Sequence, residues 1–272
     1  MIAFLLAPVV IVAVVSLFRW NLLTSPTFVG LANYRRMAGD SSVWQSVLTT
    51  IWYVLLSIPA QTVLALALAM LLNTRLRGIR ALRAFFVVPW MATPVVMGVV
   101  WRWIFDTQNG ALDSLLGVFG VDPVGWLASS SLALVSVAAV GVWGGVGYTM
   151  LFFLAGLQGI PEHLYEAARL DGAGRAQQFF TITLPLLRPT MFFVLVTSII
   201  GSFQVFDTIY AMTKGGPGDA TTVLNFKIYS TAFQQFDDGY ASALAMLLFA
   251  LLLLLTLAQV LYFRRRTTYD YS

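Results

Sequence analysis

Apolar residues run along this chain in long blocks, and the charged residues gather in the short stretches between them. A helix needs about 20 apolar residues to cross a bilayer. Five blocks reach that length: Val47–Leu72, Phe85–Phe105, Leu132–Leu154, Met191–Met212 and Ala241–Phe263. A sixth, Ile2–Phe18, is shorter but carries no charge. Trp20, Trp101, Trp103 and Tyr262 stand near block ends, where aromatic rings suit the membrane interface. The pattern predicts an all-α polytopic membrane protein with six transmembrane helices, about 2–18, 47–72, 85–105, 132–154, 191–212 and 241–263. Together they form one domain over 1–272.

Composition agrees with lipid as the main solvent. The chain is 59% hydrophobic and 10% charged, with a mean hydropathy of +0.82, too apolar for an ordinary soluble domain. It has no cysteine, which excludes disulfides and thiolate metal sites, and the single histidine, His163, argues against a histidine-based metal centre. No G-x-x-x-x-G-K-[ST] occurs, and the only lysines are Lys214 and Lys227, so the chain carries no P-loop.

The arginines set the orientation. Arg75, Arg77, Arg80 and Arg83 follow the second block, Arg169, Arg175 and Arg188 lie between the fourth and fifth, and Arg264, Arg265 and Arg266 close the chain. Arg19, Arg35, Arg36, Arg102, Lys214 and Lys227 fall on the other side. The side richer in basic residues is cytoplasmic, which places both termini inside. Met1 stands directly at an apolar run that has neither a basic start nor a small-residue cleavage site. A natural start upstream of Met1, or a short span that tilts little, fits that beginning.

One polar stretch interrupts the pattern. EAARLDGAGRAQQFFTITLP, Glu166 to Pro185, holds two acids, two arginines and two glutamines within the cytoplasmic segment about 157–189. Pro161 suits a first helical turn and Glu162 meets its positive end. Asp171-Gly172 breaks the helix, with Gly172 supplying a left-handed cap. A second amphipathic piece runs to Pro185. Ala167 and Ala168 let another backbone approach, Glu166 and Asp171 offer carboxylates to a basic partner, and Phe179, Phe180, Ile182 and Leu184 pack back on the spans. That is the build of a docking lever. The same residues also fit a solvated helix with a Glu166–Arg169 pair worth a few tenths of a kcal/mol, or an interfacial helix with no partner.

The pattern E-A-A-x-x-D-G-A-x-x-x-x-x-F-x-x-I-x-L-P, carried by Glu166, Ala167, Ala168, Asp171, Gly172, Ala173, Phe179, Ile182, Leu184 and Pro185, resembles the EAA motif of ABC importer permeases. FVGLANYRRM (Phe28–Met37) is similar to the segment after the first span in the maltose/glycerol-phosphate-type sugar permeases. TKGGPGDATTVLNFKIYSTAF (Thr213–Phe233) is similar to their loop before the last span. The resemblance covers nearly the whole chain and implies a type I ABC importer permease fold in a bacterial inner membrane. It implies that Glu166 meets a basic residue in a cleft of the ATPase subunit and that Gly172 permits the turn. Ala167, Ala168, Asp171 and Ala173 would complete that contact. It further implies a second permease, two ATPase subunits that bind the ATP and Mg, and an extracytoplasmic solute-binding protein. This chain would itself bind no cofactor and catalyse nothing, and no nucleic-acid partner is expected.

Polar groups inside spans mark solute pathways, and few occur. GVWGGVGYTM offers Gly145 and Tyr148, and TSIIGSFQVFDTIY offers Ser198, Ser202, Gln204 and Asp207. Small residues, hydroxyls and aromatics suit a sugar, and the family resemblance places sugar contacts on these two helices. Glycines and serines also let spans pack closely, Tyr148 or Trp143 can fill space, and Asp207 can reach interfacial water. Gln61, Pro59, Pro89 and Pro94 read as bends and packing features. The outer loops Asp106–Ser130 and Thr213–Tyr240 either receive the solute-binding protein or are solvated. Glycerol-3-phosphate or another polar solute fits the same family. An ion-coupled secondary transporter would place ionisable residues deep in the spans, where only Asp207 comes near, and a membrane enzyme would cluster reactive side chains, which none do.

Overall fold

The computed structural model describes residues 2–74 and 76–264, and these are mostly helical. Arg75, Arg265, Arg266 and Met1 lie outside the described residues. The chain opens with α1 (Ile2–Val15), followed by a small antiparallel hairpin, β1 (Phe18–Arg19) with β2 (Thr27–Phe28), and α2 (Ala32–Gly39). At 14 residues, α1 is about 21 Å long, short of a ~30 Å bilayer core. Then come α3 (Ser41–Leu72), α4 (Ile79–Met91), α5 (Pro94–Ile104), α6 (Ala111–Gly117) and α7 (Ala133–Gln158). The polar insert forms α8 (Glu162–Leu170), α9 (Arg175–Gln178), a π turn (Phe179–Thr183) and α10 (Leu184–Leu186). Next are α11 (Arg188–Phe203), α12 (Asp207–Met212) and α13 (Leu224–Tyr229). A second π turn (Ser230–Gln234) and α14 (Asp238–Arg264) complete the chain.

Among the described residues, three helices are long and apolar enough to span by themselves: α3, α7 and α14. Two expected spans are broken. The run 85–105 divides into α4 and α5. Thr93 precedes a proline and is biased away from helix; Ala92 is already extended (ψ 146°), and Pro94 opens α5. The run 191–212 divides at Gln204–Phe206, so α11 stops at Phe203 and α12 begins at Asp207. There the freed Gln204 carbonyl accepts a hydrogen bond from Asn225 Nδ2 at 2.8 Å. The insert also meets α11 at a 66° bend.

The chain divides into two compact units, each taking parts of several helices. In the second unit (55–93, 138–200, 256–272), Ala65, Leu66 and Ala69 of α3 pack with Met150, Phe153 and Leu157 of α7 and with Leu187 and Val194. The small residues are what let the backbones close up. A Cβ at Gly147 would run into the Phe86 carbonyl of α4, so α7 and α4 touch backbone to backbone. In the first unit (1–54, 94–137, 201–255), Gly98 of α5 lies against Ala211 of α12. The buried Thr50 hydroxyl of α3 accepts from Leu224 N at 2.9 Å. Outside these cores the helices are apolar and exposed: Trp52, Val63 and Leu71 on α3 and Leu253, Leu254 and Leu261 on α14 face outward. A helix apolar on its outer side needs lipid or another apolar chain around it.

Candidate docking elbow and solute path

α8 begins after Pro161, which is extended and supplies no N–H, and Glu162 sits in its first turn. Its other end is a Schellman motif: Gly172 N donates to the Arg169 carbonyl at 3.1 Å, and Ala173 N to the Ala168 carbonyl at 2.8 Å. Gly172 has φ +77°, the left-handed conformation that closes this motif, and faces open space. Gln178 Nε2 donates to the Ala173 carbonyl at 2.7 Å, tying α9 to the turn. The Tyr165 and Thr183 hydroxyls lie 2.9 Å apart, tying α8 to the first π turn.

One side of this elbow packs and the other does not. Leu164, Tyr165, Phe179 and Ile182 rest on the core of the second unit, and Leu184 is half-buried. Phe180, expected to pack back as well, is 65% exposed: its ring meets Phe179 edge-on at 5.0 Å and stays outside the core that Phe179 packs against. His163, Glu166, Ala167 and Leu170 form an exposed stripe at three- and four-residue spacing. Asp171 and Gly172 are exposed beyond it, and Ala168 and Ala173 are half-buried. Glu166 forms no ion pair with Arg169, whose Nε instead donates to the Tyr165 carbonyl at 3.2 Å.

Sequence reasoning missed Leu170. It is 90% exposed, the most exposed large apolar residue among those described, and it stands between Arg169 and Asp171. A leucine set among charges and held out on a capped helix end is covered by nothing in the chain itself. Its signal in the sequence is an apolar residue just before the Asp171-Gly172 break, where a solvated cap needs none.

The candidate path residues fall in both units. In the second, the Tyr148 ring is stacked on Trp90, centroids 4.3 Å apart and planes 5° apart. Phe152 meets Tyr148 edge-on at 4.9 Å, and Phe193 follows Phe152 at 5.0 Å. The aromatic ladder makes Trp90, which the sequence did not single out, the support of Tyr148. Gly145 opens a notch for the side-chain amide of Gln61, which donates to Thr149 Oγ1 at 2.7 Å. The half-buried Ser198 hydroxyl has no hydrogen-bond partner among the described residues, and neither has Ser202 in the first unit. Gln204 and Asp207 are exposed at the break between α11 and α12 rather than on one continuous helix face.

Continuous and broken apolar helices, an outward apolar surface and an exposed polar elbow are the build of a polytopic membrane protein. Residues 36–269 match the model of the "binding-protein-dependent transport system inner membrane component" family. The chain is 38% identical over 233 residues to the trehalose/maltose transport system permease protein MalF of Thermococcus litoralis, covering 85% of this chain and 78% of that one. It is 36% identical over 248 residues to the sn-glycerol-3-phosphate transport system permease protein UgpA of Agrobacterium fabrum, covering 90% and 84%. Its fold matches a chain of a bacterial ABC transporter involved in import of the acidic polysaccharide alginate, with a TM-score of 0.81 at 22% identity, covering 89% and 85%. The chain belongs to the binding-protein-dependent inner-membrane component family: it is a multi-pass permease subunit of an ABC importer, not an enzyme.

Proposed function

We propose that this chain is one half of the translocation path of an ATP-driven sugar importer. It pairs with a second, similar permease. Two ATPase subunits, which hold the ATP and Mg, dock on the elbow and its counterpart. Glu166 meets a basic side chain of the ATPase, Leu170 fills an apolar hollow beside it, and Ala167, Ala168, Asp171, Gly172 and Ala173 set the close backbone contact. An extracytoplasmic solute-binding protein delivers solute to the other side. Both termini and the elbow face the cytoplasm of a bacterial cell, following the arginine distribution.

The observation that carries this reading is the exposed stripe of Glu166, Ala167 and Leu170, held on a capped helix with its opposite face packed. Sugar as the solute is supported by the trehalose/maltose relative and by the residue types on α7, α11 and the break before α12, with Tyr148, Gly145, Ser198, Ser202, Gln204 and Asp207 lining the path. The UgpA relative supports glycerol-3-phosphate as the second reading. ATP closes the ATPase pair, the elbows move with it, and the spans alternate between two packed states.

Co-purification from the native membrane tests the assembly. The expected result is an ATPase and a second permease retained by the wild-type chain, with the ATPase lost from Glu166→Ala and Gly172→Val. Uptake should persist when the proton gradient is collapsed and ATP remains. A chain that purifies alone, with uptake intact, would make the elbow a surface helix.

A further inference from the structure

The segment between α12 and α14 holds backbone that spanning a membrane does not require. Lys214 (φ +51°) occupies the left-handed region that most residues with side chains avoid, and Asp219 (φ +67°) joins it there, as aspartate does more readily. Gly215, Gly216 and Gly218 stand beside them, and glycine at either position would adopt that conformation freely. α13 then widens into the π turn Ser230–Gln234, a departure that recurs at functional sites. All three features border one cavity of about 540 Å³, whose lining includes Tyr210, Lys214, Asp219, Phe226, Lys227 and Gln234.

Unfavourable backbone persists only where its surroundings hold it, and it clusters at binding sites. The hold is visible here. The Thr213 and Thr221 hydroxyls lie 2.7 Å apart, Thr221 Oγ1 donates to the Gly216 carbonyl at 2.8 Å, and Thr222 Oγ1 to the Gly215 carbonyl at 3.1 Å. The loop therefore keeps Lys214 and Asp219 aimed into the cavity.

The chemistry of the lining narrows the occupant. The chain uses fourteen arginines and two lysines, and both lysines are in this cavity. A guanidinium is a planar fork matched to carboxylate or phosphate, whereas an ammonium is a compact donor suited to single oxygen atoms. Asp219 lies in the lining, and Asp40 stands near enough to Lys227 for their charges to attract, so the region is close to neutral. Tyr210 adds a partly exposed ring, and Phe226, itself buried, backs the wall against Phe206. A ring bordered by point donors and by amide and carboxylate acceptors fits a polyhydroxylated ring, whose C–H face stacks while its hydroxyls pair.

We propose that this cavity binds a pyranose-class solute at a site that shares no residue with the candidate path on α7, α11 and the start of α12. The inference rests on the sugar-import reading and adds to it a first contact outside the spans, before the solute enters them.

The absence of cysteine makes Ser230→Cys the only thiol on the chain. The full transporter, with its solute-binding protein, is reconstituted in proteoliposomes. ATP-driven uptake of glucose, maltose, trehalose and glycerol-3-phosphate is measured, together with the rate at which a charged maleimide labels Ser230→Cys in the presence of each. The transported sugar should slow labelling. Lys214→Gly and Lys227→Ala should each abolish that protection and raise the half-saturating concentration about tenfold, the loss of one charged hydrogen bond. Lys214→Gly removes the side chain while relieving its backbone, so misfolding is not the cause of its effect. Uptake of a sugar with labelling unslowed, or full protection in Lys214→Gly, would overturn the cavity proposal and leave the import reading standing. Uptake of glycerol-3-phosphate alone, or of none of the four, would overturn the sugar reading and the cavity with it. Loss of the second permease from either lysine variant would make the cavity an assembly contact and overturn the proposal.

Discussion

Leu170→Ala separates the two meanings an exposed leucine can have. The side chain is 90% exposed at the end of α8, so it contributes almost nothing to the stability of the chain by itself. Alanine is at least as good a helix former, and the cap built on Gly172 uses backbone groups only. Thermal unfolding of the variant should match the wild type within about 0.5 kcal/mol. If an ATPase subunit covers the residue, the substitution removes three carbons from an apolar contact, about 2 kcal/mol at ~0.8 kcal/mol each. That loss corresponds to roughly 30-fold weaker docking. The assay is the affinity of the ATPase subunit for the permease pair in nanodiscs, read with unfolding on the same samples. Docking unchanged within about threefold, in a variant that unfolds like the wild type, would refute the apolar anchor. A large fall in unfolding temperature would refute the premise that Leu170 is idle in the chain alone.

Two further outcomes follow from packing and charge. Gly147→Ala would drive a Cβ into the Phe86 carbonyl and should destabilise by about 3 kcal/mol, as overpacking does, whereas Gly144→Ala faces open space and should be silent; equal unfolding temperatures for the two variants would contradict the contact. Asp40 joins α3 to α14, accepting hydrogen bonds from Ser42 Oγ at 2.7 Å and Tyr240 Oη at 2.9 Å. Burial pushes its carboxyl up, but these hydrogen bonds more than offset that and hold it below the usual carboxylate range. The stability it adds is therefore complete above the ordinary value of about 3.9 and is lost as pH falls through the lower folded value. Asp40→Asn should flatten that acid limb in unfolding measured against pH, and an unchanged limb would assign it to other carboxyls.

The helices themselves were legible because apolar length is a local property. α3, α7 and α14 follow from unbroken blocks that can satisfy their backbone in lipid only as helix. The elbow was legible for a similar reason: a proline, a first-turn acid and an Asp-Gly break fix a short capped helix without reference to anything distant. The breaks were only half legible. Pro94 marks the first, since a proline disfavours helix at the residue before it, yet its neighbour Pro89 stays inside α4. The second, at Gln204–Phe206, has no such mark and depends on Asn225, which arrives from a later segment.

The sequence by itself determined that this chain is a set of membrane helices interrupted by one polar elbow, because hydrophobic blocks, caps and motif spacing act within a few turns of the chain. The tertiary structure alone decided which side chains meet. It put Trp90 under Tyr148, Gln61 in the notch of Gly145, Leu170 in the open and both lysines in one cavity. Those outcomes depend on contacts between segments far apart in the chain, and at the lysines on a turn whose threonine bonds hold backbone that local preference disfavours.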